Sequence, residues 1–478
     1  MTAPLLLASN RGPVSFLDGQ ADPVRGAGGL VSAIAGRAGA AVDALWVCAA
    51  LTDSDRRAVR EGRVPPGVLM LDVDPVTFDR AYNGVANATL WFVAHLLYDT
   101  AHAPVFDARS AREWRAYRAY DDAFAAALAA EAAPGAAVLV QDYHLALVPR
   151  QLRERRPDLR IGHFSHTPWA PPEYFCLLPD AVAREVLLGM LGADAVGFHS
   201  ARWADAFVRC CAQVLGAQTT ADSVTHDGRT TVVSVHPLGI DADELRARAA
   251  QPDVQSRLPG LRELVGDRQL LLRVDRTELS KNIVRGLEAY RELLRTRPQW
   301  HGRVVHLAFA YPSRHDLPEY REYTGAVQRV AREVNEQFAG EGWLPVHLEV
   351  RDDYPRSLAA YELADVLLVN PVRDGMNLVA KEGPVLSRRG VSLVLSRHAG
   401  AADELGADAH LVNPFDVLQT AHALHEALST PADLRAARSG RLAAAATALP
   451  PQAWLRDQLA ALDRPGHGTD GVVRSAAC

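Results

Sequence analysis

A chain of 478 residues is longer than one hydrophobic core sustains, so two or three domains are expected. Apolar content of 48% and charged content of 23% are ordinary for a globular protein in water, and a net charge of −6 argues against a nucleic-acid partner. No stretch approaches a membrane span, the amino-terminal residues lack the basic and apolar regions of a secretory signal, and five cysteines form an odd set without metal spacing. These features read as a reduced, cytoplasmic protein of enzyme size.

In chain order, short continuous apolar runs recur at Leu5–Ala8, Ala137–Val140, Leu270–Val274, Val304–Phe309, Val366–Val369 and Leu393–Leu395, each followed by an amphipathic helical stretch. Continuous rather than alternating runs suit strands buried on both faces of a parallel sheet. The repeated strand–helix unit predicts an α/β protein with two doubly wound, Rossmann-like domains. Pro237 and Gly239 mark the junction, which gives domains 1–238 and 239–450, a last helix within 451–463 and a disordered tail over 464–478.

Polar residues fall where these strands end. Asn10-Arg11 follows the first, Gln141-Asp142-Tyr143-His144 the second, and His166 closes Ile161-Gly-His-Phe-Ser. Arg276, Arg314 and Asp374 stand in the same way after the later runs. Open parallel sheets bind ligands beyond the carboxyl ends of their strands. The placement predicts a single cleft between two facing domains.

Only two of the 51 basic residues are lysine, Lys281 and Lys381. A compact ammonium is not interchangeable with a planar guanidinium at a tight polar site, so both are candidates for positions where only an ammonium fits. Arg276 and Lys281 flank a short loop before a helix expected to start near Ile283; both cations can face one diphosphate, helped by the helix N-terminus. In Asp374-Gly-Met-Asn-Leu-Val-Ala-Lys-Glu382, Gly375 frees a turn, Met376–Val379 can open a helix, and Asp374 and Glu382 can each bind a vicinal diol. Gly26-Ala-Gly-Gly29 precedes a helical pattern over Leu30–Gly39 and offers backbone amides to an anion, with a plain tight turn as the equal alternative. Asp72-Val-Asp74 resembles the start of an aspartyl-phosphate phosphatase and a metal-binding Asp-x-Asp; both readings are set aside, the first because it needs a lysine and each lysine is already assigned. No ligand cluster of the usual spacing supports a metal around Asp142, His144 and His166. Nothing flanking Lys381 favours a pyridoxal Schiff base.

Ser9-Asn-Arg11, Gly26–Leu30, Tyr82-Asn83 with Leu90-Trp91, Gln141–Leu145, Phe164–Pro168, Arg276 with Ser280-Lys281, Pro312–Arg314 and Arg373–Glu382 occur in this order. Together they resemble the trehalose-6-phosphate synthase family of retaining glycosyltransferases, over roughly residues 1–460. The resemblance implies the GT-B architecture, a final helix returning to the first domain, and transfer of glucose from a nucleotide sugar to glucose 6-phosphate, giving α,α-trehalose 6-phosphate. Arg11, Tyr82, Trp91 and Arg314 would hold the acceptor, with the two arginines on its phosphate, and Asp142 its hydroxyls. His166 and Asp374 would grip the donor glucose, Arg276 and Lys281 its diphosphate, and Glu382 the ribose. Backbone amides at Gly28, Gly29, Met376, Asn377, Leu378 and Val379 would add donors.

The implied route is substitution on one face of the sugar. Arg276 and Lys281 stabilise the departing diphosphate, with Asp142 and His166 beside the reacting groups and neither metal nor cofactor needed. A family loop normally reading Leu-Asp-Tyr-Ser-Lys-Gly is here Thr277-Glu-Leu-Ser-Lys-Asn282. The nucleobase segment, Glu349-Val-Arg351-Asp352-Asp353-Tyr354, is short and charged, and a carboxylate there suits guanine N1–H and its amine. GDP-glucose is therefore expected over UDP-glucose. The expected partners are these two small substrates, with no nucleic acid or membrane, and a homo-oligomer is compatible with the sequence. Two alternatives stand beside this reading: a pseudo-glycosyltransferase that couples cyclitols, and a catalytically silent sugar-phosphate sensor.

Overall fold

The computed structural model describes residues 2–18, 22–25 and 44–463. Gly26–Gly29, including Gly28 and Gly29, the pattern over Leu30–Gly39 and the tail from Arg464 lie outside the described residues. The chain splits into two compact units. Met1–Val93, His102–His236 and Leu455–Cys478 form the first; Ala94–Ala101 and Pro237–Trp454 form the second.

In the first unit, a sheet runs in the spatial order Val68–Leu71, Leu45–Ala49, Ala3–Ala8, Ala132–Gln141, Arg160–Ser165, Ala195–Phe198, Arg229–Val235, Ser223–His226, Gln218–Thr219. The first seven are parallel, and the last two add antiparallel. Ala3–Ala8 lies between Leu45–Ala49 and Ala132–Gln141, so the chain winds outward to one side and then to the other from this strand. Leu6, Val47, Val138, Val140 and Ile161 are fully buried, which explains their continuous rather than alternating pattern. Burying each such side chain is worth roughly 1.5–3 kcal/mol relative to exposure. Near the chain's end, Asp463 pairs with Arg160 at 2.5 Å, and Leu462 lies 3.1 Å from where a side chain on Gly162 would begin.

The second unit has a fully parallel sheet in the order Val346–Glu349, Val304–Tyr311, Gln269–Arg276, Val366–Val369, Ser392–Ser396, His410–Val412. Numbered along the chain, this is 3-2-1-4-5-6, the dinucleotide-fold order, and the reversal falls between Gln269–Arg276 and Val366–Val369. The strands are covered on both faces. Leu270, Leu272 and Leu367 pack with Leu358, Tyr361 and Ala380. Leu271, Val366 and Leu368 pack with Ile283, Leu287 and Tyr290.

One carboxylate ties down the segment that follows the first unit's central strand. Asp55 Oδ1 accepts from Phe16 N at 2.8 Å and Ser15 Oγ at 3.1 Å, while Oδ2 accepts from Leu51 N at 3.2 Å and Thr52 N at 3.1 Å. It also completes a capping box with Thr52 at the start of the helix Asp53–Arg60. The segment following Arg11 is thereby tied to the end of Leu45–Ala49. Asp55→Ala strands one buried and three part-buried donors and should lower stability by about 3 kcal/mol, measured as a shift of the urea midpoint at constant slope. An unchanged midpoint would show that these donors find other partners.

Candidate functional site

The second unit's reversal point gathers most of the predicted donor-side residues. Arg276 is the last residue of its strand, and Thr277 continues the ladder by donating to the Tyr311 carbonyl at 2.6 Å. A single 3₁₀ turn, Leu279–Lys281, then leads into Asn282 at φ 60°, after which the helix Ile283–Thr296 begins. Asn282 Nδ2 donates to the carbonyls of Asn370 and Pro414 at 2.9 and 2.7 Å, locking the turn onto the neighbouring strand end. Lys281 Nζ donates to Asp374 Oδ2 at 2.5 Å. Burial alone would pull the Lys281 ammonium down, but Asp374, Asp275 and Glu278 outweigh it and hold the group above its ordinary value. Burial opposes ionisation of Asp374, but Lys281, His95 and a bond from Asn377 keep it below its ordinary value. Both shifts describe an ionised pair.

A residue that the sequence reading passed over organises the arginines. Glu278 is fully buried, and its Oε1 lies 3.0 Å from Arg276, 3.7 Å from Arg314 and 2.8 Å from Ser313 Oγ. Burial works against its charge; Arg276, Arg314 and Lys281 overcome that and hold it down to about 2. Arg314 is further fixed by Tyr320, whose hydroxyl accepts at 2.8 Å and whose ring lies 5.6 Å below the guanidinium. The only sequence signal for Glu278 was its place between Arg276 and Lys281.

The expected role of the Ile283 helix N-terminus is corrected by its surroundings: the Ile283 and Val284 amides donate to Tyr323 Oη at 2.7 and 3.4 Å. The segment after Asp374 is better suited to an anion. Its helix starts at Val379, later than the expected Met376, because Asn377 adopts φ 91°. Asn377 donates to Asp374 Oδ2 at 3.1 Å and its Oδ1 accepts from Ala380 N at 3.1 Å. The amides of Met376, Asn377, Leu378 and Val379 donate to no other described residue. Gly400 packs so tightly that a Cβ there would meet the Gly375 carbonyl at 1.9 Å, which sets the height of this turn. Glu382 accepts from Tyr361 Oη at 3.1 Å, and burial pushes its carboxyl up against that bond.

Lys381 is a correction. It is fully buried, donating to the Leu238 carbonyl at 2.7 Å and to Glu404 at 2.6 Å. It is an internal brace, with its ammonium engaged by a carbonyl and a carboxylate inside the second unit. Asp353 and Arg351 are also redirected. Asp353 caps the helix Tyr354–Leu363 through Arg356 N at 3.1 Å and pairs with Arg257, while Arg351 pairs with Glu349 at 3.0 Å. Only Asp352 remains an exposed, unallocated carboxylate there, so the physical case for guanine recognition is weak.

In the first unit, Arg11 lies in the exposed turn after Ala3–Ala8, with its Nη2 3.5 Å from Tyr82 Oη. Tyr82 belongs to a π-helical stretch, Arg80–Leu90, and stacks on Phe78 at 5.3 Å and His144 at 5.7 Å between centroids. Wide turns of this kind are rare and concentrate at functional sites. Trp91, at the end of the stretch, meets Tyr143 at 5.7 Å. Asp142 adopts φ 73° and ψ 169°, a region nearly confined to glycine that costs of order 1–3 kcal/mol for other residues. Its Oδ1 accepts from His166 N at 3.1 Å, and its carboxylate lies 3.9 Å from His144.

His166 is tied into a buried chain: Nε2 meets the Gln141 amide at 2.9 Å, Nδ1 meets His199 Nε2 at 3.1 Å, and His199 Nδ1 meets the His236 carbonyl at 3.3 Å. Burial, then His199 and His163, push His166 well below its ordinary value, so it is a neutral imidazole. With His166 neutral, its Nε2–H donates to the Gln141 amide oxygen and its Nδ1 accepts from His199 Nε2–H. A sugar hydroxyl would have to displace Gln141 or His199 to reach a ring nitrogen. The Asp72-Val-Asp74 pair is structural: Asp72 binds Arg56 and Arg60, both at 3.2 Å, and Asp74 caps Pro75–Asp79.

The sequence matches the family model of Glycosyltransferase family 20 over residues 20–464. It is 34% identical over 455 residues to an alpha,alpha-trehalose-phosphate synthase [UDP-forming] 2 of Aspergillus niger, with 92% of each chain covered. Identity is 35% over 442 residues to a bifunctional trehalose-6-phosphate synthase/phosphatase of Thermoproteus tenax, covering 90% of this chain but 59% of that protein. A solved structure from E. coli bound with UDP-2-fluoro glucose superposes with a TM-score of 0.84 at 29% identity, over 96% of this chain and 98% of that one.

Asp275, beside this site, has its carboxyl pushed up to about 6 by burial, against the pull of Arg273 and Lys281. A carboxyl raised in the folded state favours folding while it is protonated. That contribution is complete below its unfolded value near 3.8 and lost as pH rises through about 6. Asp275→Asn should therefore remove a downward slope of stability between those pH values, on the order of 3 kcal/mol in total, in urea titrations of both proteins. Parallel pH profiles would contradict the assignment.

Proposed function

Because this chain belongs to glycosyltransferase family 20, we propose that it is an α,α-trehalose-phosphate synthase taking glucose from UDP-glucose and handing it to glucose 6-phosphate. Glycosyl transfer follows from the family; the choice of sugars is our reading. The observation that carries it is the Lys281–Asp374 pair at the reversal point of the second sheet, with Arg276 on Glu278 and four unengaged amides from Met376 to Val379. Cations and amides converging beyond strand ends suit a diphosphate leaving group.

The A. niger relative is UDP-forming, and the loss of Asp353 to helix capping removes the main argument for GDP-glucose. A trehalose phosphate less the transferred glucosyl group leaves a glucose phosphate, which fixes the acceptor class. Within the first unit, Arg11, Tyr82 and Trp91 are the candidates for holding it, and Asp142 for its hydroxyls.

In the reaction, the bond from the donor's C1 to the diphosphate oxygen breaks while the acceptor's C1 hydroxyl oxygen bonds to the same face. The hydroxyl proton passes to the departing diphosphate, so the products are UDP and trehalose 6-phosphate with the α-configuration retained. Arg276 and Lys281 would then exchange their carboxylate partners for diphosphate oxygens as charge develops. Neutral His166 fits a role as a fixed neighbour of the sugar better than as a proton carrier.

Incubation with glucose 6-phosphate and each nucleotide sugar, followed by mass analysis, should show trehalose 6-phosphate and faster turnover with UDP-glucose. Faster use of GDP-glucose would overturn the donor assignment, and coupling of cyclitols alone would overturn the acceptor. Lys281→Ala should lower kcat/KM by about 2–4 kcal/mol in activation free energy, and an unchanged value would remove Lys281 from the mechanism.

A further inference from the structure

The strand that delivers Arg276 carries a second arginine in its interior. Arg273 is fully buried, on the same face of the sheet as Leu271, at a position where a parallel strand ordinarily holds an aliphatic residue. Its guanidinium reaches three different parts of the reversal point. Nη1 donates to Asn370 Oδ1 at 2.7 Å, Nη2 donates to the Lys281 carbonyl at 2.5 Å, and Nε lies 2.9 Å from Asp275 Oδ2. Asn370 is itself bonded through its carbonyl to Asn282, the residue after Lys281. Strand, lysine turn and neighbouring strand end thus meet on one planar cation, whose rigid fork donates to two fixed acceptors while its charge faces the Asp275 carboxylate.

Space for that cation is made by the facing helix. A Cβ at Gly286 would lie 2.3 Å from Arg273 Nη1 and 3.3 Å from Asn370 Oδ1. Gly286 has ordinary helical geometry, so the missing side chain serves the arginine and not the backbone.

We infer that Arg273 is a positioning residue for Lys281: its guanidinium sets the height of the lysine turn, and hence of the Lys281–Asp374 pair, and Gly286 is the space it needs. This rests on the reading of that pair as the diphosphate site. An aliphatic residue at 273 would fill the same volume but leave the Lys281 carbonyl and the Asn370 amide oxygen without donors and Asp275 without its cation.

The chain's two lysines make a direct test available. In full-length protein labelled with [15N]lysine, the side-chain signals report Lys281 and Lys381 separately, with Lys381 as an internal control for the global fold. Steady-state kinetics with UDP-glucose and glucose 6-phosphate are measured on the same samples. For Arg273→Met, the expected result is a displaced Lys281 signal, an unmoved Lys381 signal, a fall of tenfold or more in donor kcat/KM, and an acceptor KM within twofold of wild type. Gly286→Ala, which keeps the arginine but crowds it, should give the same pattern. Combining the two should lose no more than Arg273→Met alone.

An unmoved Lys281 signal with unchanged donor kcat/KM in either variant overturns the inference, whatever happens to the melting temperature. So does simple multiplication of the two losses in the double variant. Should Arg273→Met fail to fold, Gly286→Ala alone decides by the same criteria. A wild-type protein that transfers no glucose defeats the functional reading instead, and the Lys281 signal still judges the positioning role.

Discussion

A 2.5 Å ion pair joins Lys281 to Asp374, two residues 93 positions apart in the chain, across the one place where the second sheet reverses its winding. Taking two charges out of water costs several kcal/mol per ion, and mutual attraction offsets that only when the geometry is fixed and the remaining hydrogen-bonding capacity is filled. Much of the surrounding architecture serves those conditions. Asn377 supplies a further donor to Asp374, Gly400 allows the Gly375 turn to approach, and Asn282 clamps the lysine turn to Asn370. The alternating burial of Leu270, Leu271 and Leu272 against helices on both faces holds the two strands at the distance this pair requires.

The same region shows how a cluster of cations is held together by shared carboxylates. Arg276 and Arg314 share Glu278, and Lys281 has Asp374, so each of these three cations is matched by a carboxylate within 4 Å. These carboxylates stay ionised despite burial because the cations surround them. In the function proposed above, a diphosphate enters by exchanging partners with groups that are already oriented. Preorganised charge of this kind needs little rearrangement when a leaving group develops its charge. The first unit uses a different device. Asp142 is held in a backbone conformation that nearly all other residues avoid, at the end of a central strand, and such strain persists only where the surroundings over-determine it.

Much of the fold was legible because burial on both faces leaves a direct mark. The run Val366–Val369 coincides with its strand, and the others lie within strands one to five residues longer at an end. Polar residues just beyond those runs were legible as site candidates for the same reason: a strand's buried stretch must end before a charge can reach solvent or ligand. The rarity of lysine drew attention to two positions, and the structure gave them opposite settings. Lys281 faces Asp374 at the reversal point of the second sheet, whereas Lys381 closes a contact between Leu238 and Glu404 inside the same unit. Composition marks a residue as constrained; it carries no information about which neighbour imposes the constraint. Asp353 misled for a related reason, since an acidic residue before Tyr354-Pro355 satisfies a helix cap as well as it would a base.

By itself the sequence determined the α/β class, the positions of six buried strands and the family, because these follow from local burial patterns and from short ordered motifs. Only the tertiary structure decided how the charges pair. Glu278 as the shared anchor of two arginines, Arg273 inside a strand with Gly286 cut away to receive it, and the histidine chain through His166 all depend on side chains brought together from distant segments. An ion pair or hydrogen bond is fixed by a few tenths of an ångström in space, and separation along the chain does not encode that distance.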